Sequence, residues 1–322
     1  MTTRKTQFTA QISKPNSEPE QNPLNAFFRK SKLSLKLPSR GKWYPESGVT
    51  LDASGGVSVF AMTATDDIKF RTGDATLTGR NIYDVIHSCI PSITEPDAIP
   101  HIDLDAILLA IRYASYGDTF DFTVGVPNTT LTRVISLSSH SLLQTLNLAH
   151  EDWDSSLTIE DETGFSLHLD IHPVPLHKLF STSKNLFQQK RNLSRNIDSD
   201  QNIKDEDAFA ATMSNLTSSA LDLLCSSINS LSIVDNAGIT LQTVTNDTPQ
   251  DSAEMSEIIR NMDISYFNAI RNHIDSQRKK FLFTSPKQTS DAHELLAGAP
   301  ETWHAELIFA GSNFLPSQKT GV

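Results

Sequence analysis

A strict alternation of apolar and polar residues over 165–172 constrains the fold of this chain more than any other feature. Side chains in a β-strand alternate between two faces, so a period of two predicts a half-buried strand and excludes a helix here. Pro173 and Pro175 follow and end the strand. The chain must therefore contain at least one sheet with a buried face, which takes the apolar residues Phe165, Leu167, Leu169 and Ile171.

Two earlier segments have helical spacing instead. From Gly79 to Cys89 the apolar residues recur at the i, i+3, i+4, i+7 positions of one helix face, and Pro91 ends the pattern. A second segment begins at Asp103, which we interpret as an N-cap, and ends at Gly117, which suits a helix stop. These patterns predict two helices.

Shorter patterns complete the first half of the chain. We expect strands over 57–62, 120–126 and 132–137 and a short helix over 141–148. The fold class that follows is α+β, with a small mixed or antiparallel sheet and packed helices in a core domain over residues 24–180.

The second half has a different composition. Residues 181–250 are rich in Ser, Asn, Asp and Gln, yet helical stripes run from Asp205 to Leu231 and from Glu254 to Phe283. The stripes predict a mainly helical extension over 181–322 that returns to the core, with a long amphipathic helical hairpin or arm. Two ordinary surface helices packed on the sheet would give the same pattern, and the sequence leaves both open.

Length and composition limit the class of protein. A chain of 322 residues with 38% hydrophobic residues is long enough to bury a sizeable core. No apolar run approaches the ~18 residues that a membrane span needs, and the N-terminus lacks the apolar region of a secretory signal. The two cysteines, Cys89 and Cys225, do not indicate a disulfide framework and favour a cytosolic folding environment.

Charge is unevenly distributed along the chain. Residues 1–42 carry nine Lys or Arg and two acidic residues, Glu18 and Glu20, which gives a charge of +7. Because the net charge of the whole chain is -11, the remaining residues carry -18. We expect residues 1–23 to be a disordered basic arm when free, whose charge serves either docking or only solubility. Residues 23–42 also contain apolar side chains, which favours docking onto an acidic neighbour.

Candidate catalytic or metal-binding residues are few. His168 and His172 share the polar face of the predicted strand, but a rise of ~13 Å over four residues is too long for one ion. Asp103 and Asp105 are better explained as a helix cap and a helix-dipole partner. Phosphate-binding, dinucleotide and metalloprotease motifs are absent from the sequence. We therefore expect no enzyme activity, no metal and no cofactor.

Nucleic-acid binding is also disfavoured. The basic cluster Gln277–Lys280 is short, and the acidic body would repel a phosphate backbone. We expect protein partners instead.

Four blocks in the first half form an ordered pattern. Leu35–Pro45, LKLPSRGKWYP, resembles the "LPSxGxxYP" opening of the T-even-type phage baseplate protein family. Residues 61–67 are similar to its "PMTAxDE" strand end, and 79–89 to its "GxxIxxVIxxC" helix. Residues 103–117 are similar to its "LDxxxLLxAIRxASYG" block. The resemblance covers about 33–125 and fades beyond 180.

The resemblance implies a structural subunit of the central baseplate hub of a contractile tail, working through protein–protein contacts. The alternative is a hub assembly chaperone or catalyst that is not retained in the virion. The implied partners are other baseplate or tail-hub proteins, with a possible homo-oligomer. The implied location is the host cytoplasm during assembly, and the virion baseplate if the chain is retained. Many relatives carry Cys-Pro-x-Cys after the last block; here Val126–Thr129 lacks both cysteines, so no metal is carried over.

Five residues are candidates for partner binding. Aromatic and Arg side chains dominate interface energetics, which selects Phe27, Phe28, Arg40, Trp43 and Tyr44. Trp43 has an open alternative as a plug of the domain's own core. Trp43→Ala separates the two, since a partner-contact residue would be lost without a large loss of thermal stability.

Overall fold

The computed structural model describes residues 29–71, 79–148, 152–185, 188, 218–219 and 221–309. The expected disordered arm over 1–23 lies outside these residues, as do Phe27 and Phe28. The described part is an α+β fold, as the sequence predicts, and every strand pair in it is antiparallel, which decides between the mixed and antiparallel alternatives.

The first part of the chain builds a short hairpin and three helices. Strands β1 and β2 pair with each other, and helices α2 and α3 follow the predicted segments closely. Helix α2 buries the four apolar residues that define its sequence pattern. The elements are β1 (Ser31–Leu35), β2 (Val57–Phe60), α1 (Ala64–Arg71), α2 (Arg80–Cys89) and α3 (His101–Tyr116).

Helix α3 begins three residues before the predicted start. His101 is its first residue and Pro100 occupies the N-cap position, so the interpretation of Asp103 as the N-cap is wrong. Gly117 ends the helix with φ 90°, a backbone conformation that glycine tolerates. A hairpin follows at once, formed by β3 (Thr119–Gly125) and β4 (Thr132–Ser138), and then α4 (Ser139–Leu148). All three confirm the sequence prediction.

A four-stranded antiparallel sheet contains the alternating segment. Its order is β5-β6-β7-β8, and β6 carries the predicted alternation, with Leu169 and Ile171 buried. Phe165 lies just before β6 and is exposed. The strands are β5 (Ser156–Glu160), β6 (Ser166–Ile171), β7 (Ile228–Val234) and β8 (Thr240–Thr245).

The long helical hairpin is not confirmed. Ile228 and Leu231, the last residues of the first stripe, belong to β7, so the helix predicted over Asp205–Leu231 is wrong at its end. Residues 205–217 lie outside the described part. The second stripe is divided into α5 (Pro249–Asn261) and α6 (Ile264–Lys279), because the side chain of Asp263 caps a new helix.

The last elements in the described part of the chain are helix α7 (Ala292–Leu296) and four strands of two residues each. The strands are β9 (Phe283–Thr284), β10 (Gln288–Thr289), β11 (Thr302–Trp303) and β12 (Glu306–Leu307). They return to the first half of the chain. Arg133 on β4 donates to both carboxylate oxygens of Glu294 on α7, and its guanidinium lies 5.6 Å from the Trp303 ring centroid. This part-buried bidentate pair fastens the C-terminal part to the β3–β4 hairpin.

Buried apolar side chains form two clusters, the first core and the second core. The first core contains residues of 35–143 together with Leu176 and residues of 283–309. Phe309 packs there against three rings, with centroids 5.9 Å from Phe120, 5.5 Å from Phe122 and 5.8 Å from Phe283. The second core contains Ile102, the face of the four-stranded sheet, and residues of 221–281. The second core is therefore inserted, in sequence, inside the first.

Candidate interaction site where the two cores meet

The Leu35–Pro45 block forms a compact double turn after β1. Arg40 N–H donates to the Leu37 carbonyl at 2.9 Å, and Lys42 N–H donates to the Ser39 carbonyl at 3.1 Å. The positive φ of Gly41, 77°, explains its glycine, since L side chains rarely adopt that conformation. Trp43 also has positive φ, 65°, which is unusual for a bulky residue and requires support from tertiary contacts.

Asp103 supplies that support from α3. Its carboxylate accepts from the Ser39 N–H at 2.7 Å, the Ser39 hydroxyl at 2.5 Å and the Tyr44 hydroxyl at 2.9 Å. The side chain is fully buried. The three hydrogen bonds offset part of the cost of burying this carboxylate, and through them Asp103 fixes the turn to the helix across 64 residues of sequence.

Burial controls the protonation of this pair. It raises the pKa of Asp103 to about 6, although the hydrogen bonds from Ser39 and Tyr44 oppose the rise. The pKa of Tyr44 is raised well above its usual value, first by burial and then by the charge of Asp103. The tyrosine hydroxyl therefore stays protonated and acts as a donor to Asp103.

Of the five predicted partner-binding residues, the structure describes Arg40, Trp43 and Tyr44, which lie at the junction of the cores. Arg40 forms an ion pair with Asp152 at 3.2 Å in which both side chains are about half exposed. The Trp43 ring lies 6.4 Å from that of Trp153 in the second core, in an edge-on arrangement. Trp43 is partly buried against the second core, in keeping with its core alternative, and Tyr44 is partly buried against the first; partner binding through this patch stays a prediction.

A cavity of about 370 Å³ opens beside this junction. Helix α3 contributes His101 and Asp105, and α6 contributes Arg271 and Arg278. The remaining wall is mainly apolar and includes Phe281. A concave, mainly apolar site with a few charged groups at its edge is the usual form of a docking site for an apolar group.

The two titratable groups that α3 contributes to the cavity contact backbone atoms. Burial raises the pKa of Asp105 to about 6, and its carboxylate accepts from the Phe309 N–H at 3.1 Å. Burial lowers the pKa of His101 to about 4, and its Nδ1 lies 3.2 Å from the Val174 carbonyl oxygen. These bonds position α3 against the C-terminal part and the loop after β6, which is a structural role.

Sequence reasoning missed this cavity. The sequence also allowed an interpretation of His101–Asp105 as ligands, but Asp105 was expected to serve the helix dipole and His101 was given no role. The partners of α3 in the cavity come from α6, more than 160 positions later in the chain. A helix stripe predicts which face is buried, and it contains no information about which distant helix covers that face.

Hydrogen bonds join the four sequence blocks to one another. Ser39 of the first block is bonded to Asp103 of the fourth. Met62 N–H in the second donates to the Ser115 hydroxyl of the fourth at 2.9 Å. The Ser88 hydroxyl in the third donates to Asp66 of the second at 3.0 Å.

Arg29, the first described residue, contacts the same group of residues. Its guanidinium donates to the Ser88 carbonyl at 2.6 Å and lies 3.7 Å from the carboxylate of Asp66. Asp66 also accepts from the N–H and the hydroxyl of Thr63, which caps α1. The chain that enters from the basic arm is thereby fixed on the side of the first core.

Within the described ranges, no group of three or more His, Cys, Asp or Glu side chains is placed to hold a metal ion. His172 lies 3.1 Å from Asp170, and His168 lies 3.3 Å from the Thr158 hydroxyl across the strand pair. Both cysteines are buried as free thiols. None of the described helices combines the length and apolar character that a membrane crossing needs.

No protein-family model matches the chain, and neither a curated protein nor a solved structure matches it significantly.

Proposed function

We propose that the chain is a structural subunit of the central baseplate hub of a contractile phage tail and acts through contacts with other tail proteins. The observation that carries the proposal is the hydrogen-bonded contact among the four blocks that resemble the baseplate family. The blocks are spread over 35–117, yet residues inside them bond directly to one another.

These contacts among the blocks are relevant to how strongly the resemblance supports the proposal. The four blocks all lie within 35–117 and are bonded to one another in the same unit. Three polar residues of the blocks are buried and form hydrogen bonds within the same unit: Ser39, Asp66 and Asp103. The pattern therefore describes one packed scaffold, which supports a shared fold with the family whose pattern it resembles.

The charge distribution indicates how such a subunit works. Residues 1–42 have a balance of +7 and the remainder of the chain -18. Lys30, Lys32 and Lys36 are exposed along β1 and after it, next to the fixed point at Arg29. A basic segment held at one place on an acidic body is suited to an acidic surface of a neighbouring subunit.

Quantitative mass spectrometry of purified virions tests the proposal. We expect peptides of this chain in constant ratio to known tail proteins of the same phage. If the chain instead binds hub proteins in infected cells but is missing from virions, the assembly chaperone replaces the structural subunit. If the chain is missing from virions and also fails to bind hub proteins in infected cells, both the structural subunit and the assembly chaperone are contradicted.

A matched pair of variants tests the arm. Lys30→Glu with Lys32→Glu reverses two exposed charges beside the arm, and Lys279→Glu with Lys287→Glu makes the same charge change elsewhere. The first pair is expected to reduce incorporation into virions, while the second leaves it unchanged. Equal incorporation of both pairs would contradict a role for the basic segment.

A further inference from the structure

The apolar rows of the second core continue beyond its buried part. In β6 the row on the core face leads from Leu169, which is 3% exposed, back to Phe165, which just precedes the strand and is 45% exposed. In α6 the row leads from Ile270, which is 0% exposed, back to Ile264, the first residue of the helix, which is 67% exposed. Both elements therefore lack cover where they begin.

Contacts between turns place these uncovered residues at the same end of the second core. The Tyr266 hydroxyl, in the first turn of α6, donates to the Asp161 carboxylate in the β5–β6 turn. The β7–β8 turn lies beside the β5–β6 turn, since a Cβ added at Gly164 would stand 2.5 Å from the Asn236 side chain. The β7–β8 turn carries Ile239, which is 59% exposed. The open end, as we call this surface, consists of Phe165, Ile239 and Ile264.

Four carboxylates surround the open end. Each stands within four positions of one of its apolar residues: Asp161, Glu162, Asp235 and Asp263. Three of them accept hydrogen bonds from backbone or hydroxyl groups of their own turns. In the part of the chain that the structure describes, none of the four forms an ion pair with a basic side chain. The open end thus combines exposed apolar surface with negative charges that have no basic partner.

We infer that the open end is a docking site for a segment of a different protein, in which apolar side chains alternate with Lys or Arg. The apolar side chains of the segment cover the three exposed residues, and its cations pair with the surrounding carboxylates. Exposed apolar patches with a polar rim are typical of protein interaction sites. The inference is independent of the proposed hub function.

Charge selects this partner over others. Four carboxylates repel nucleic acid, anionic lipid and acidic protein surfaces. The net charge of -11 likewise opposes a second copy of this chain. A cationic segment instead gains charge pairs at the edge while its apolar side chains leave water at the centre, which is the usual division between the rim and the core of an interface.

A short labelled peptide in which Lys alternates with Phe or Leu is the probe, and fluorescence anisotropy with the full chain measures its binding. We expect a dissociation constant on the order of 10 to 100 μM in ~50 mM NaCl. Binding is expected to be at least about threefold weaker in ~0.5 M NaCl, because salt screens exposed charge pairs. The control is the same peptide with Glu in place of Lys, which is expected not to bind.

A matched pair of variants locates the binding. Ile239→Ser with Ile264→Ser removes two apolar side chains from the open end, and Val134→Ser with Leu296→Ser removes two exposed apolar side chains elsewhere. We expect the first variant to weaken binding of the Lys peptide at least about tenfold and the second to leave it unchanged. All four side chains are more than half exposed, so both variants are expected to fold, which circular dichroism checks.

Glu162→Lys tests the charge. It reverses one carboxylate of the open end and leaves the three that hold turns or cap a helix, Asp161, Asp235 and Asp263. We expect binding to weaken several-fold at low salt and to change little in ~0.5 M NaCl. Glu301→Lys, the same charge change at another exposed position, is the control and is expected to have no effect.

Three results would each overturn the inference: a Lys peptide that fails to bind, equal binding of the Lys and Glu peptides, or equal losses in the two Ser variants. Sedimentation of the full chain from about 1 to about 300 μM tests the choice of partner. Self-association that the Ile239→Ser and Ile264→Ser variant abolishes would make a second copy the occupant and would overturn the assignment to a different protein.

Discussion

Asp103→Ala is expected to destabilise the protein by about 2 to 4 kcal/mol at pH 7. The substitution leaves the buried Ser39 N–H without its acceptor and removes the acceptor of the Tyr44 hydroxyl. Each buried polar group left unsatisfied costs about 1 to 3 kcal/mol. Removal of an ionised carboxylate from a buried position offsets part of this cost, which is why the expected value is below the sum.

The cost is expected to grow as the pH falls. The pKa of Asp103 is raised from 3.8 to about 6 in the folded protein. Between these values the folded state binds more protons than the unfolded state, so the wild type gains stability from Asp103 as the pH falls through this window. At 1.36 kcal/mol per unit, a change from the folded pKa to pH ~4.5 gives about 2 kcal/mol. Asp103→Ala lacks this gain.

Urea unfolding at pH 7 and pH ~4.5, followed by tryptophan fluorescence, measures the difference. Trp43, Trp153 and Trp303 together report on both cores. Asp105 and His101 titrate in both proteins, so the difference between variant and wild type isolates Asp103. Asp97→Ala, at an exposed aspartate, controls for the loss of one negative charge. A destabilisation that is equal or smaller at the lower pH would refute the reasoning.

Two further substitutions test other contacts. Gly79→Ala is expected to lower the free energy of unfolding by at least about 2 kcal/mol, because Gly79 has φ 67° and a Cβ there would stand 2.4 Å from the Phe180 ring; an unchanged melting temperature would contradict this. Trp43→Ala is expected to cost about 2 kcal/mol through lost packing against Trp153 and His172, less than full burial would give. Lost partner binding with unaltered thermal unfolding would instead favour the partner-contact role of Trp43.

Local sequence patterns predicted those helices and strands whose buried face is set by the residues of a single segment. Helix α2 follows its stripe because Ile82, Val85, Ile86 and Cys89 all face one core. The β3–β4 hairpin and β6 follow their alternation for the same reason. The first residues of β7 were predicted as helix, because Ile228 and Leu231 have the three-residue spacing of a helix face; in the strand, a register irregularity beside Ile228 lets both residues be buried. Its pairing with β6, about 60 positions earlier, decides the outcome and leaves no mark in the local sequence.

The contacts at the junction of the cores could not be predicted from the sequence for a similar reason. An aspartate ahead of an apolar stripe looks the same whether it caps the helix or accepts hydrogen bonds from a distant turn. Asp103 does the second, with Ser39 as a partner. The proline and glycine of Pro38–Gly41 are typical of a turn, but they do not indicate where that turn docks.

The insertion of the second core inside the first has a consequence for synthesis on the ribosome. Phe120 and Phe122 are made early, but their partners Phe283 and Phe309 emerge only after the whole second core has been translated. Until then the β3–β4 hairpin presents its aromatic face to the cell, where exposed apolar surface and unpaired edges favour aggregation. Exposure of this apolar surface in the nascent chain is therefore expected to last until Phe309 reaches the hairpin.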